Sequence, residues 1–382
     1  MTRKSRITIS LEGWYYLLML AMVCVGAVVG GVNLLLVLAG MLAGPLLFGW
    51  WAVSVALRGL QPRRKVPHGV CAGDLLVVNV RLTNTRRKRG CWAVVVEEQI
   101  RRTAAAAETL RPRVLFSYVP AGESRDAAYR GRLERRGCYE LGPLRLSTRF
   151  PFGLFCRTTT VGGTDTLTVF PRLGRLTRVW AARHREALTG THRRERRHGN
   201  EGDFFGVRQW RSGDSRRQIH WRSTARTGQL VVCQLEQPRN RDVVVLVDLR
   251  SPEQPGLNDA EHVELAVSFA ATVVADLCRK VVGNIYLGTT ADPTRLLHGP
   301  ASAALMREML DMLAVVEPGS DDRWDELTDQ VRSRIDRGTE IVLVGTRKAD
   351  PADVAQLGSL SGGHLRCIDA SSDELSQVFQ FE

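Results

Sequence analysis

The densest run of chemically capable side chains lies between Phe204 and Val232, where the chain reads FFGVRQWRSGDSRRQIHWRSTARTGQLVV. Arg208, Arg211, Arg216, Arg217, Arg222 and Arg226 alternate there with Trp210, His220 and Trp221. Guanidinium groups are planar forks for carboxylate or phosphate, and indole faces attract cations, so the run could form a recognition surface. Asp214, just after Gly213, and His220 also offer an acid–base pair, as a hydrolase or phosphate-binding enzyme would need. A lone pair without a nucleophile or an oxyanion partner falls short of a catalytic site, and a capping Asp with a packing His is the plainer reading. The chain has no phosphate-binding G-x-x-x-x-G-K-[ST], no H-E-x-x-H, no G-x-S-x-G and no G-x-G-x-x-G, so no catalytic residue is assigned.

Charge distribution supplies the competing explanation for those arginines. The 382 residues carry 53 Lys+Arg against 40 Asp+Glu, a net +13. The excess is confined to residues 1–241, whereas residues 242–382 hold 24 acidic and 12 basic side chains. A basic front half can therefore pair with the acidic back half of the same molecule, which makes the overall charge poor support for nucleic acid. The cluster Arg193, Arg194, Arg196 and Arg197 is interrupted by Glu195. With no zinc-finger or RNA-recognition signature beside it, it reads as a solvated or lipid-facing loop.

The elements that must position these residues fall into four stretches. Residues 1–65 contain two uncharged apolar runs, Trp14 to Val32 and Leu34 to Leu57, separated by a Gly/Asn break. Each is long enough to cross a bilayer as a helix, so the pair predicts a transmembrane hairpin. Arg3, Lys4 and Arg6 precede it and Arg58, Arg63, Arg64 and Lys65 follow it. Positive flanks on both sides predict an inner (plasma) membrane protein with two spans and both termini cytoplasmic. The eight cysteines contain no C-x-x-C pair and fit free thiols in a reducing compartment, with no zinc site.

Residues 66–171 alternate in short β-branched runs: Leu75 to Thr83, Cys91 to Ile100, Arg113 to Val119, Ala127 to Leu133, Tyr139 to Leu146 and Thr166 to Phe170. Glycine and proline turns separate them, which predicts a β-sandwich. Residues 172–241 read as an extended connector with one helix over Arg216 to Arg226, capped by Asp214 and stopped by Gly228. Residues 242–382 alternate strands at Val243 to Val247, Val281 to Leu287, Glu340 to Gly345 and His364 to Asp369 with helices at Ala260 to Arg279, Ala301 to Val316 and Trp324 to Ile335. Apolar strands between amphipathic helices predict an α/β domain with a mostly parallel sheet, whose ligands sit beyond the carboxyl ends of the strands.

Three strings, RRGCYELGPLRL (Arg135 to Leu146), PFGLF (Pro151 to Phe155) and the Phe204 to Val232 run, together resemble the bacterial family catalogued as domain of unknown function 58. Gly206, Arg208, Trp210, Gly213, Asp214, Arg217, Ile219, Trp221, Thr224, Ala225 and Arg226 fit its signature. The resemblance implies a membrane-anchored protein with a von Willebrand factor A-like C-terminal domain. It also implies partners such as MoxR-type AAA+ ATPases and membrane transglutaminase-like proteins, and a non-enzymatic adaptor or scaffold role. A Mg²⁺-binding A domain would show D-x-S-x-S after its first strand. Here Asp248-Leu249-Arg250-Ser251-Pro252 puts Arg and Pro at the serine positions and Ser251 out of phase. An Asp248–Arg250 ion pair is expected there in preference to a metal-dependent ligand site.

Overall fold

A computed structural model describes residues 4–104, 109–182, 198–199, 203–236, 242–250, 259–280, 283–291, 295–318, 323–335, 339–362 and 364–381. Ser251 and the Arg193 to Arg197 cluster lie outside the described residues. The chain divides into two compact units, Met1–Arg172 and Leu173–Glu382.

The first unit begins with β1 (Lys4–Ile9), followed by the helices α1 (Leu11–Gly30) and α2 (Asn33–Ala56). Ser10 starts α1 by accepting a hydrogen bond from the Gly13 N–H, and Gly31 ends it in the left-handed region at φ 58°, a conformation only glycine adopts cheaply. Both helices are long and apolar enough to cross a membrane, and only 11% of each apolar window is buried. That low burial separates them from the core helices of a soluble domain.

Chain order then gives β2 (Leu60–Lys65), β3 (Gly69–Cys71), β4 (Leu75–Asn84), β5 (Cys91–Glu97), β6 (Ile100–Arg102), β7 (Thr109–Leu110), β8 (Arg113–Val119), β9 (Ser124–Arg132), β10 (Gly137–Leu141), β11 (Leu144–Thr148), β12 (Phe155–Val161) and β13 (Asp165–Phe170). They form three sheets, ordered β1-β12-β11-β5-β8, β3-β13-β10-β6-β7 and β2-β4-β9. One apolar core joins them, from Leu57 and Leu60 through Val78, Val94 and Leu146 to Leu167. Each fully buried aliphatic side chain stabilises the unit by about 1.5–3 kcal/mol.

Two expectations change here. The run Tyr139 to Leu146 is not one strand, because the Gly142-Pro143 turn breaks it and sends β10 and β11 to different sheets. The basic flanks of the hairpin, read from sequence only as signals of orientation, also form strands. β1 pairs antiparallel with β12 and β2 with β4, so both ends of the hairpin are strands of the β-rich unit.

The same unit closes the end of α2. Arg86 Nη1 donates to the Val55 carbonyl at 3.3 Å, the Cys91 thiol to Ala56 at 3.2 Å and Arg157 to Ser54. The Val55 carbonyl also accepts from the Arg58 N–H at 3.1 Å, so side chains of the β-rich unit and the chain's own cap together cover the last carbonyls of α2. Beneath the sheets, Arg64 binds Glu98 and Asp165, while the Tyr129 hydroxyl donates to Glu98 Oε2 at 2.6 Å.

The second unit carries β14 (Arg175–Leu176), β15 (His198–Gly199), β16 (Asp203–Gln209), α3 (Trp221–Thr227), β17 (Val231–Glu236), β18 (Val243–Asp248), α4 (Asp259–Arg279), β19 (Asn284–Thr289), β20 (Arg295–Pro300), α5 (Ala303–Val315), α6 (Trp324–Arg332), β21 (Glu340–Gly345), α7 (Pro351–Ser361), β22 (Leu365–Asp369), α8 (Glu374–Val378) and β23 (Phe379–Gln380). Its main sheet runs β20-β19-β18-β21-β22. It is parallel throughout except for β20, which pairs antiparallel with β19. Every residue of β18 and β21 is buried, as continuous valine- and leucine-rich strands require.

Helix α4 buries Val263, Ala266, Phe269, Ala270, Val273 and Leu277 as its spacing predicts, but also Val267, Ala271 and Val274. The ring of Phe269 meets Trp180 at 5.3 Å and Phe379 at 5.7 Å. Segments from both ends of the unit thus pack on this helix. The expected connector of residues 172–241 is partly a sheet of its own, β15-β17-β16.

Candidate functional site

The Arg/Trp run folds as a small β-α-β unit. β16 and β17 pair antiparallel, and the residues between them make a turn, a short 3-10 turn at Arg216–Gln218 and helix α3. Gly213 sits at φ 105°, a backbone state that side chains resist. Asp214 follows and folds back. Its Oδ2 accepts from the Arg211 N–H at 2.8 Å, and both carboxylate oxygens accept from the Arg208 fork at 2.7 and 2.6 Å.

The helix begins later than expected. His220, not Asp214, is its N-cap, with Nδ1 accepting from the Ser223 N–H at 3.2 Å. The Gly213-Asp214 pair closes a turn because Arg208, six residues earlier on β16, claims the carboxylate that would have capped. Thr224 Oγ1 accepts from the Val231 N–H at 3.1 Å, and Gly228 ends the helix at φ 69°.

These bonds sort the sequence candidates into two groups. Arg208, Gly213, Asp214 and His220 hold the local fold, and Trp210 is half-buried with its N–H on the Leu230 carbonyl. Arg217, Trp221 and Arg226 face outward together with Arg222. Trp221 is 67% exposed, an unusual position for so large an apolar ring unless something covers it.

The Arg208 guanidinium, and after it the Arg211 N–H, hold the Asp214 carboxyl down at about 2. Because this folded value lies below the usual carboxylate value of about 4, the turn's stabilisation is present above that value and is lost as pH falls through about 2. Amide exchange should show it: protection at Arg211 persists from neutral pH to about 4 and disappears by about 2. Asp214→Ala should lower that protection at least about tenfold at neutral pH while the main sheet melts unchanged.

A second candidate lies at the carboxyl ends of the parallel strands. β19 lies on one side of β18 and β21 on the other, so successive crossovers leave in opposite directions and open a crevice between β18 and β21. A cleft of roughly 470 Å³ lies there, lined by Asp248, Gly345, Arg347, Lys348, Asp369 and Ser372 among others. Sequence reading found only Asp248 of these. The rest follow β21 and β22, and the strand-end rule was the signal that could have found them.

Arg250 fills the position beside Asp248. Its Nε and Nη2 donate to the two Asp248 oxygens at 2.9 Å each, and Nη2 also reaches Asp353 Oδ2 at 2.6 Å. The guanidinium lies 4.4 Å from the centre of the Trp324 ring. The side chains of Asp248 and Arg250 are 3% and 7% exposed, so this is a buried, closed ion pair. A divalent cation demands free oxygen ligands, and the described residues do not fit one, since the Asp248 carboxylate is bound to Arg250. Cys367 also borders the cleft, but burial pushes its thiol up, away from the thiolate a nucleophile requires.

Comparison with known proteins adds a family. No curated protein matches the chain. Among solved structures, a CARDB domain from Pyrococcus furiosus is 12% identical, with 29% of this chain and 94% of that one covered at a TM-score of 0.19. A superoxide reductase (neelaredoxin) from Ignicoccus hospitalis is 15% identical, with 31% and 86% covered at 0.20. The sporulation control protein Spo0M from Bacillus subtilis is 10% identical, with 40% and 58% covered at 0.19. Likenesses this low carry no argument about fold or activity. Residues 206–357, from within β16 to within α7, match the family described as "Protein of unknown function DUF58".

Proposed function

We propose that this chain, which belongs to the DUF58 family through residues 206–357, is a membrane-anchored, non-enzymatic adaptor that docks a protein partner on the outward face of α3. The observation that carries this reading is the division of labour in the signature. Asp214 and His220 are engaged in a turn and a helix cap, while Trp221 and Arg226 stand exposed on α3 and Arg217 on the 3-10 turn just before it. Exposed tryptophan and arginine are the side chains that dominate protein interfaces. The hydrolase reading needs Asp214 and His220 free to face a substrate, and their hydrogen bonds speak against it.

The anchor is the α1–α2 hairpin. Its exposed apolar side chains, among them Leu18, Met22, Val25, Val29, Leu34 and Met41, form a surface suited to lipid. Since β1 and β2 belong to one unit, the two spans enter and leave on the same side, and the basic flanks favour the cytoplasmic side of the inner membrane. A von Willebrand A-like domain is supported by the strand order with one antiparallel edge and by Asp248 at the end of the first strand. Arg250 in the cation's place makes such a domain metal-independent. A MoxR-type AAA+ ATPase and a membrane transglutaminase-like protein are the partners the family resemblance suggests.

The test is affinity purification of the full chain from its host in mild detergent, beside Trp221→Ala and Arg217→Ala variants. Both side chains are exposed, so melting should move by less than about 0.5 kcal/mol. Recovery of a MoxR-type ATPase with the parent and its loss with the variants is the expected result. Equal recovery from all three would move the docking site elsewhere.

A further inference from the structure

We infer that the β-rich unit rests on the lipid surface itself, through the basic loop Arg86–Arg89 and an exposed aromatic ridge of Trp92, Tyr118 and Phe150. The inference rests on the membrane-anchor reading and extends it to a lipid-binding face.

Three observations converge on this face. Trp92, Tyr118 and Phe150 are 51%, 41% and 41% exposed, yet they pack on one another, with Trp92 4.2 Å from Tyr118 and 6.0 Å from Phe150. Leu115 on the adjoining strand is 60% exposed. Aromatic rings with an apolar body concentrate at membrane–water boundaries, where both halves are satisfied.

The ridge also continues into the anchor. Phe152, two residues beyond Phe150, lies 6.1 Å from Phe48, and Phe48 lies 5.8 Å from Trp51. Both belong to the last turns of α2, the end of the apolar segment.

Charge completes the surface. Arg86, Arg87, Lys88 and Arg89 are consecutive, and the last three are exposed. Arg86 binds the Val55 carbonyl and Arg89 lies 5.2 Å over the Trp51 ring, so the loop stands at the level where α2 ends. Arg149 is exposed beside Phe150. Because Leu57 and Leu60 are buried in the unit's core, no slack separates anchor and sheets. The occupant is therefore the bilayer the hairpin is in, with anionic headgroups on the arginines and the upper acyl region under the rings. Each basic residue near such a surface favours binding about fivefold.

The test uses the full chain in vesicles of phosphatidylcholine with one part in three phosphatidylglycerol, with lipids brominated near the headgroup, and reads tryptophan quenching. The parent should show a quenched component that Trp92→Phe removes, with unchanged melting, while Trp14, Trp50 and Trp51 remain quenched in both. Replacing Arg86 to Arg89 by glutamine, or omitting phosphatidylglycerol, should weaken the Trp92 component severalfold. If Trp92→Phe leaves quenching unaltered while the hairpin tryptophans are quenched, this inference falls and the anchor stands. A Trp92 component indifferent to both charge changes also overturns it. No quenching of any tryptophan overturns the inference and the anchor together.

Discussion

Arg250→Ala will destabilise the α/β unit by about 3–5 kcal/mol, a large part of the stability of an ordinary domain. The guanidinium is the common partner of Asp248 and Asp353, whose side chains are 3% and 14% exposed. Its removal leaves two carboxylates close together in a site that water barely reaches. Thermal melting in mild detergent at pH 7 would show the gap from the parent. Arg250→Lys keeps a charge but loses the fork and the Trp324 stack, and should fall between. A variant as stable as the parent at pH 7 would remove the ion pair from any structural role.

Arg64→Ala carries an expected cost of the same order, about 3–5 kcal/mol, in the β-rich unit. Glu98 is 2% exposed in its side chain and receives bonds from Arg64 and Tyr129. Burial, reinforced by the Glu98 carboxylate, pushes the Tyr129 hydroxyl up, so it stays a neutral donor. Without Arg64 that hydroxyl is the one side-chain donor left to Glu98 among the described residues, and the charge is left uncompensated. Adding Glu98→Gln to Arg64→Ala removes the stranded charge and should recover part of the loss, so the double variant melts above the single one. A double variant less stable than Arg64→Ala would show that the carboxylate was not the source of the cost.

Much of this architecture is legible in residue pattern because it depends on periodicity. The alternation from Arg113 to Val119 and the continuous apolar run from Glu340 to Gly345 are strands with those bounds, since nothing nearby offers the backbone a competing partner. β1 is not legible, because its KSRITI abuts an apolar span and its basic residues read as topological flanks. β2 is hidden by Pro62 and three basic residues, which an edge position tolerates. The helix at Pro351–Ser361 lacks a clear apolar stripe and buries only Leu357 and Ser361.

At the signature, the residues are legible and their bonds are not. Asp214 has the sequence context of a cap, and only the tight turn at Gly213 folds it back onto Arg208 of β16. The Asp248–Arg250 pair is readable from two neighbouring positions. Asp353, which shares the same guanidinium, comes from a helix more distant in sequence and needs the fold to bring it there.

The strands that flank the hairpin also set the order in which this protein can be made. β1 emerges from the ribosome well before its partner β12, which comes only after both apolar helices and most of the β-rich unit. On the membrane-anchor reading proposed above, both helices are threaded into the bilayer while β1 waits, and the sheet closes afterwards. Until it does, β12 presents an open edge, the kind of surface that recruits stray strands. On that reading insertion and completion of the fold are one checkpoint: a chain whose helices fail to insert is also left with an unfinished sheet, open to aggregation.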